Sequence, residues 1–385
     1  MMKSYPRLLL AVCVILLGGF GAATALETKA RTALVVDYAT GTVLLEKNAD
    51  LSLPPASMSK LMTLNMVFEA LQDGRLTMDE KLPVSKKAMS YGGSTMFLTT
   101  RDKVSVRDLI QGVIVLSGND ACVVLAEALA GSEEEFAKSM NKRAKQLGMT
   151  NSTFANSNGW PDPNQRMSAR DLVTLATRLI RVFPQYYHFF SEKEFPFDNR
   201  SPANRFNRNP LLKLNIGADG LKTGHTEEAG YGIVGSAVRN GRRVVLMLSG
   251  LQSAEDRASE AAKLMNWAFR QFVEKKVLKA GKIVGQADVW LGAQATVDLK
   301  VKEDLTAILP VTNANEVKGK ITMTTPAPAP ITKGQTLGTL TLQIPGLKPV
   351  SVPLVAANDV AKSGFVPRLR LSAQLLMQRL FALAN

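Results

Sequence analysis

Residues 31–45 (RTALVVDYATGTVLL) carry two β-rich apolar runs on either side of Thr40-Gly41, and this pattern predicts a hairpin. Behind Pro54-Pro55, residues 57–73 are apolar almost all round, through Leu61, Met62, Leu64, Met66, Val67, Phe68, Ala70 and Leu71, and Gly74 supplies a stop. A helix without a wide polar face belongs inside a large domain. Residues 105–183 read as successive helices. One begins at Ser132, with Glu135 in capping-box position and Gly148 past its end; another begins at Ser168. Strand character returns over 231–239 and 242–248, which flank the hairpin signal Asn240-Gly241. A last helix is expected over about 254–275, carrying Trp267, Phe269 and Phe272. Strands at both ends with helices between them predict an α/β domain whose terminal strands share one antiparallel sheet.

From about residue 278 the period changes to two. Val297/Leu299/Val301, Leu340/Leu342/Ile344 and Val350/Val352/Leu354 alternate cleanly between turn residues, which predicts a small β-sandwich over 278–357 with a structural or spacing role. The end, 358–385, turns helical again from about 364. Phe365, Leu369, Leu376, Leu380 and Leu383 lie on one side, and Arg368, Ser372 and Arg379 on the other. Its apolar runs are broken by arginines, so it is expected to lie on a membrane surface and not to cross it. At the other end Lys3 and Arg7 precede the apolar stretch 8–17, then glycines and Ala23-Thr24-Ala25. A basic start, a short apolar run and a small-x-small site read as a secretory signal peptide over 1–25. The catalytic domain is therefore expected over 26–277.

Composition narrows the function. The chain of 385 residues is 46% hydrophobic and 21% charged, ordinary for a globular protein, with a net charge of +14. Lys and Arg are spread along the chain without a nucleic-acid motif, so an acidic membrane surface or polymer is the better partner, and nucleic acid is not expected. Cys122 is the only cysteine left once the signal segment is set aside; it sits in an apolar stretch, as a buried small hydrophobe would. With His188 and His225 the only histidines, neither a metal site nor a cysteine–histidine pair is indicated, and no cofactor is implied.

Three short patterns carry chemistry: Ser57-Met58-Ser59-Lys60, Ser117-Gly118-Asn119 and Lys222-Thr223-Gly224. The trio is shared by penicillin-binding proteins and class A β-lactamases. Each alone is weak, since Ser139-Met140-Asn141-Lys142 fits the first two patterns. That copy lies in a helix rich in Glu and Lys, where Lys142 would stay solvated and protonated. Ser57 instead opens the apolar helix, so Lys60 starts out desolvated and within reach on the same face. Burial and a second cation, a role Lys222 could fill, would lower its pKa into a working range. Ser117 and Asn119 follow the apolar run 113–116, where a turn would project Ser117 to pass a proton and Asn119 to hold an amide. Lys222, Thr223 and Gly224 precede the hairpin and are expected on a strand edge, where a substrate adds main-chain hydrogen bonds and Gly224 permits close approach.

At this point the chain resembles the low-molecular-mass penicillin-binding proteins, specifically D-alanyl-D-alanine carboxypeptidases of the penicillin-binding protein 5/6 type. The likeness extends through SMSKLMT (57–63), SGNDAC (117–122), DGLKTGHT (219–226), AGY (229–231) and NWAF (266–269). It implies a β-lactamase/transpeptidase-like fold, an antiparallel sheet flanked by helices plus a helical subdomain, followed by the β-module and amphipathic tail. It also implies roles. Ser57 would attack the carbonyl between the last two D-alanines of a peptidoglycan pentapeptide stem, with Lys60 as base. The N–H groups of Ser57 and His225 would form the oxyanion hole, and Ser117 would relay a proton to the departing D-alanine. Asn119 would orient the peptide, and Lys222 and Thr223, with Arg257, would engage the terminal carboxylate. β-Lactams would acylate Ser57, on an enzyme working at the periplasmic face of the bacterial inner membrane. The loop Asn156-Ser157-Asn158-Gly159-Trp160 departs from a family form that often reads Asn-x-His-Gly-Leu, and a changed loop contact is expected there.

Three other readings use the same residues. A class A β-lactamase should carry a Glu-x-x-Leu-Asn loop, which is missing between Asn119 and Lys222. A D,D-endopeptidase uses identical machinery. A non-catalytic wall-binding protein would not need an activated hydroxyl.

Overall fold

The computed structural model describes residues 26–200, 202–312, 314–323 and 325–364. The segment read as a signal peptide and the tail from residue 365 onward lie outside the described residues.

The first hairpin forms as expected: β1 (Thr32–Asp37) pairs antiparallel with β2 (Val43–Lys47). A single 3-10 turn, Ala56–Ser59, then opens α1 (Lys60–Gln72), which is buried along nearly its whole length. Three further helices build the subdomain around it: α2 (Asn119–Ala130), α3 (Glu133–Gln146) and α4 (Ala169–Val182). Ser132 and Ser168 cap α3 and α4, each accepting from the backbone N–H three residues on. The chain returns to the sheet as β3 (Ala218–Thr226), β4 (Gly230–Arg239) and β5 (Arg242–Leu251). Asn240 and Gly241 both adopt positive φ at the β4–β5 turn, the reason that dipeptide suits a two-residue hairpin.

The sheet order is β2-β1-β5-β4-β3, so strands from both ends of the domain meet in the centre and β3 is an edge. Alternation divides each strand between two cores. Leu34, Val36, Val234 and Met247 pack toward α1, α2 and α4. Ala33, Val35, Ile233 and Leu246 pack toward Leu264, Met265 and Ala268 of α5 (Ala254–Gln271).

The helix expected to run to Lys275 stops at Gln271. Phe272 is already extended, and the strand Phe272–Leu278 pairs with Leu305–Pro310. Glu274, Lys275 and Lys276 are good helix formers, but the tertiary pairing overrides that local preference. Phe272 still meets Trp267 edge-on at 5.1 Å, which is why the aromatic spacing looked helical. This two-stranded ribbon and a six-stranded sheet enclose the third core, formed by Val297, Leu299, Val301, Leu340, Leu342 and Leu354 among others. The chain stays attached to that unit through Val360, which bridges Ile331.

Candidate active site

The turn that carries Ser57 is clamped by two glycines. Ala56 is held at φ +47°, a left-handed conformation that a residue with a side chain adopts only where its surroundings enforce it. A Cβ on Gly159, itself at φ +83°, would lie 2.0 Å from Ala56 O; one on Gly224 of β3 would lie 2.8 Å from Pro55 O. The 156–160 loop and β3 thus close on the Ser57 turn from two directions. The sequence suggests that Gly224 makes room for a substrate; in the fold its missing side chain makes room for the protein's own turn.

Lys60 is fully buried, while Ser57 keeps partial access to solvent. Lys60 Nζ lies 2.7 Å from Ser57 Oγ, 2.8 Å from Asn119 Oδ1 and 2.6 Å from the Asn158 carbonyl oxygen. Two of these partners are amide oxygens and only accept. A neutral amine has two N–H donors and one lone pair. With both donors spent on Asn119 and Asn158, the lone pair is left for the Ser57 hydroxyl. Burial brings the Lys60 pKa down from 10.5 to about 8; the Arg208 guanidinium acts in the same direction, and Cys122 and Asp120 act against it. Arg208 is thus a cation lowering Lys60 that the sequence did not single out, while Lys60 and Lys222 face each other as like charges.

Ser117 follows a π-helical turn, Gly112–Leu116, and is buried at φ +62°. Lys222 Nζ donates to its Oγ at 3.0 Å and to the Thr223 carbonyl at 3.2 Å. Burial, reinforced by the charges of Lys60 and Arg208, holds Lys222 well below its usual pKa. Asn119 opens α2; its Oδ1 accepts from Lys60, and its Nδ2 donates to Gly92 O at 2.8 Å. Thr223 is buried on β3.

At the open end of β3, His225 lies on Tyr231 with ring centroids 3.9 Å apart, and Arg257 lies over the same tyrosine at 5.5 Å. Among the described residues, the buried Arg257 Nε has no hydrogen-bond partner. A buried guanidinium donor left unpaired is costly, and it suits an anion arriving from outside. Among the described residues β3 pairs only with β4, so its outer edge offers backbone groups to an extended peptide.

The competing motif fails on environment, for Lys142 is exposed on α3. His188 is also exposed, against Phe189 and bonded to the Gln185 carbonyl, and has no place in the site. Cys122 is fully buried, and burial pushes its thiol up to about 12.

A family profile described as D-alanyl-D-alanine carboxypeptidase matches residues 20–252, and one described as the penicillin-binding protein 5 C-terminal domain matches 272–362. The chain belongs to the D-alanyl-D-alanine carboxypeptidase family. It is 39% identical over 348 residues to the D-alanyl-D-alanine carboxypeptidase DacC of Escherichia coli (strain K12), covering 88% of this chain and 86% of that one. The structure of penicillin binding protein 5 from Haemophilus influenzae is similar over 88% of this chain and 99% of that one, with a TM-score of 0.76 and 36% identity. Penicillin-binding protein D2 from Listeria monocytogenes, in its ampicillin-bound form, aligns over 64% of this chain and 99% of that one, with a TM-score of 0.58 and 35% identity. As a member of this carboxypeptidase family the protein is a serine peptidase with penicillin-binding activity, acting in cell-wall metabolism.

Sequence reasoning missed three groups that the fold places beside these residues. The Asn158 carbonyl is a backbone group, so no residue type announces it; the departure from the family pattern at 156–160 was the only hint. Arg208 carries no motif. Its guanidinium reaches Ser94 Oγ at 2.6 Å and Leu116 O at 3.2 Å, and only the fold brings it near two lysines. Tyr231 stood in a family string without a role.

Proposed function

We propose that Ser57, Lys60 and Ser117 carry the reaction, and that Asn119, Lys222, Thr223, Gly224, His225 and Arg257 hold the substrate. The observation that carries this reading is the Lys60 amine, turned toward Ser57 Oγ at 2.7 Å by two oxygens that can only accept. Neutral Lys60 takes the hydroxyl proton as Ser57 Oγ bonds to the carbonyl carbon between the last two D-alanines of a peptidoglycan pentapeptide stem. The oxygen that becomes negative is met by the N–H groups of Ser57 and His225, donors of a kind generally worth about 3 kcal/mol each. The C–N bond then breaks as Ser117, hydrogen-bonded to Lys222, passes its proton to the leaving D-alanine nitrogen and recovers one from Lys60, which leaves the Lys60 amine neutral again. Water, deprotonated by Lys60, attacks the ester carbonyl and releases the tetrapeptide. Lys222, Thr223 and the unpaired Arg257 Nε receive the terminal carboxylate. A β-lactam follows the first half of this path and stays on Ser57.

The test is product and adduct chemistry on the unaltered protein. A pentapeptide ending in D-Ala-D-Ala should yield one free D-alanine and the tetrapeptide. The same peptide amidated at its C-terminus should be a poorer substrate by about tenfold or more in kcat/KM, through the lost charge-assisted pair. Mass mapping after penicillin treatment should place the adduct on the peptide containing Ser57. An adduct at Ser139, or no release of D-alanine, would end the reading.

The same proposal covers location. Residues 1–25 act as an export signal, and the protein works at the periplasmic face of the inner membrane, held by the amphipathic segment 364–385. Lys3, Arg7 and the apolar stretch 8–17 support the first part. Among the described residues no helix is long and apolar enough to cross a membrane; the apolar side formed by Phe365, Leu369, Leu376, Leu380 and Leu383 opposite Arg368 and Arg379 supports the second part. Removing residues 364–385 should move the protein from the membrane fraction to the soluble one with penicillin binding intact. Retention on the membrane would refute the tail's role.

A further inference from the structure

Glu133 is a buried carboxylate outside every motif of the site. It is the first residue of α3 and only 3% exposed. Its Oε1 accepts from Ser157 N at 3.1 Å, Ser157 Oγ at 2.6 Å and Asn158 Nδ2 at 3.4 Å. Its Oε2 accepts from the Tyr91 hydroxyl at 2.7 Å and pairs with Lys87 Nζ at 3.2 Å. Burying a carboxylate costs several kcal/mol, and here those donors and the helix N-terminus offset the cost, which ties Glu133 to the 156–160 loop.

The segment it grips is the one that orients the base. Asn158 O accepts from Lys60 Nζ, and the Thr63 hydroxyl of α1 donates to Ser157 O. From Ala155 to Trp160 every backbone N–H donates to a side chain, that of Gln165, Glu133, Asn156 or Asn158. No ladder or helix sets this loop's shape. Ser157 N–H and Oγ both end on one oxygen of Glu133, so the residue beside the critical carbonyl is fixed from outside the loop.

We propose that Glu133 is a positioning residue for the general base: by holding Ser157 and Asn158 it fixes the carbonyl that turns Lys60 toward Ser57. The proposal rests on Lys60 being the base, and it assigns Glu133 a geometric task. The glutamine variant should therefore largely replace it, because an amide oxygen still accepts from Ser157.

Stopped-flow acylation by a fluorescent penicillin separates reversible binding (Kd) from acylation (k2). Glu133→Ala should lower k2 about 30-fold with Kd within about threefold, since misplacing a reacting group by about 1 Å costs up to about 100-fold. Glu133→Gln should keep k2 within about threefold, and Lys87→Ala, which touches only the outer oxygen, within about twofold. Wild-type k2 in Glu133→Ala beside a dead Lys60→Met overturns the proposal, and so does Glu133→Gln as slow as Glu133→Ala. If Glu133→Ala does not fold, Ser157→Ala decides: a fall in k2 of about fivefold supports the proposal, and an unchanged k2 overturns it. Acylation surviving in Lys60→Met would instead remove the base reading, and this proposal with it.

Discussion

Lys60→Met is expected to acylate with penicillin about 1,000-fold more slowly than the wild type, the order of a general base's contribution. Methionine fills the buried space without a basic nitrogen, so folding is preserved and the loss belongs to chemistry. Ser57 would keep its place on the 3-10 turn, and its hydroxyl would lose its contact with Lys60 Nζ. The pH dependence provides an independent arm. Because burial disfavours the ammonium, Lys60 loses its proton at about pH 8, well below the ordinary 10.5. About one molecule in ten then holds the neutral amine at pH 7, against about one in three thousand for a solvated lysine. Acylation by the wild type should therefore climb with pH to a plateau above about 8, and the climb should vanish in Lys60→Met. A flat wild-type profile, or a variant as fast as the wild type, would show that another group takes the proton.

Gly159→Ala is the second large effect. The substitution puts a side chain at φ +83°, costing about 1–2 kcal/mol in itself. It also sets a Cβ 2.0 Å from Ala56 O, a backbone atom that no rotamer change moves aside. Either the loop withdraws, taking the Asn158 carbonyl off Lys60, or the Ser57 turn shifts. Both disturb the reacting pair, and the expected result is about 100-fold slower acylation with about 3 kcal/mol lost in denaturant unfolding. Gly131→Ala is the control: its φ is +78°, yet nothing lies within 4 Å of its Cβ position. That variant should lose about 1 kcal/mol and no activity. Equal behaviour of the two variants would show that the contact with the Ser57 turn is unimportant.

Much of the site was legible because its residue types are rare in their surroundings. A lysine three residues after a serine at the head of an all-apolar helix has nowhere to go but inward, and Lys60 is indeed fully buried. The Asn240-Gly241 turn and the serine caps of α3 and α4 were legible for a local reason, since each effect acts within four residues. The end of α5 was not, because Phe272 to Leu278 gain their strand from Leu305 to Pro310, far along the chain. Glu133 looked like one more acid in a solvated helix. Its burial depends on Ser157 and Asn158, 24 and 25 residues later.

The sequence by itself determined most of the elements, the α/β plan with a β-unit after it, and the pairing of Ser57 with Lys60 on one helix turn. Those features follow from periodicity and from neighbours on one helix turn. Only the tertiary structure decided what surrounds them. It set Lys222 against Ser117 across 105 residues, made β3 an edge, and supplied two carbonyl oxygens that accept from the Lys60 amine beside Ser57. Proton affinity depends on solvent exclusion and on charges in space, and separations along the chain do not encode either.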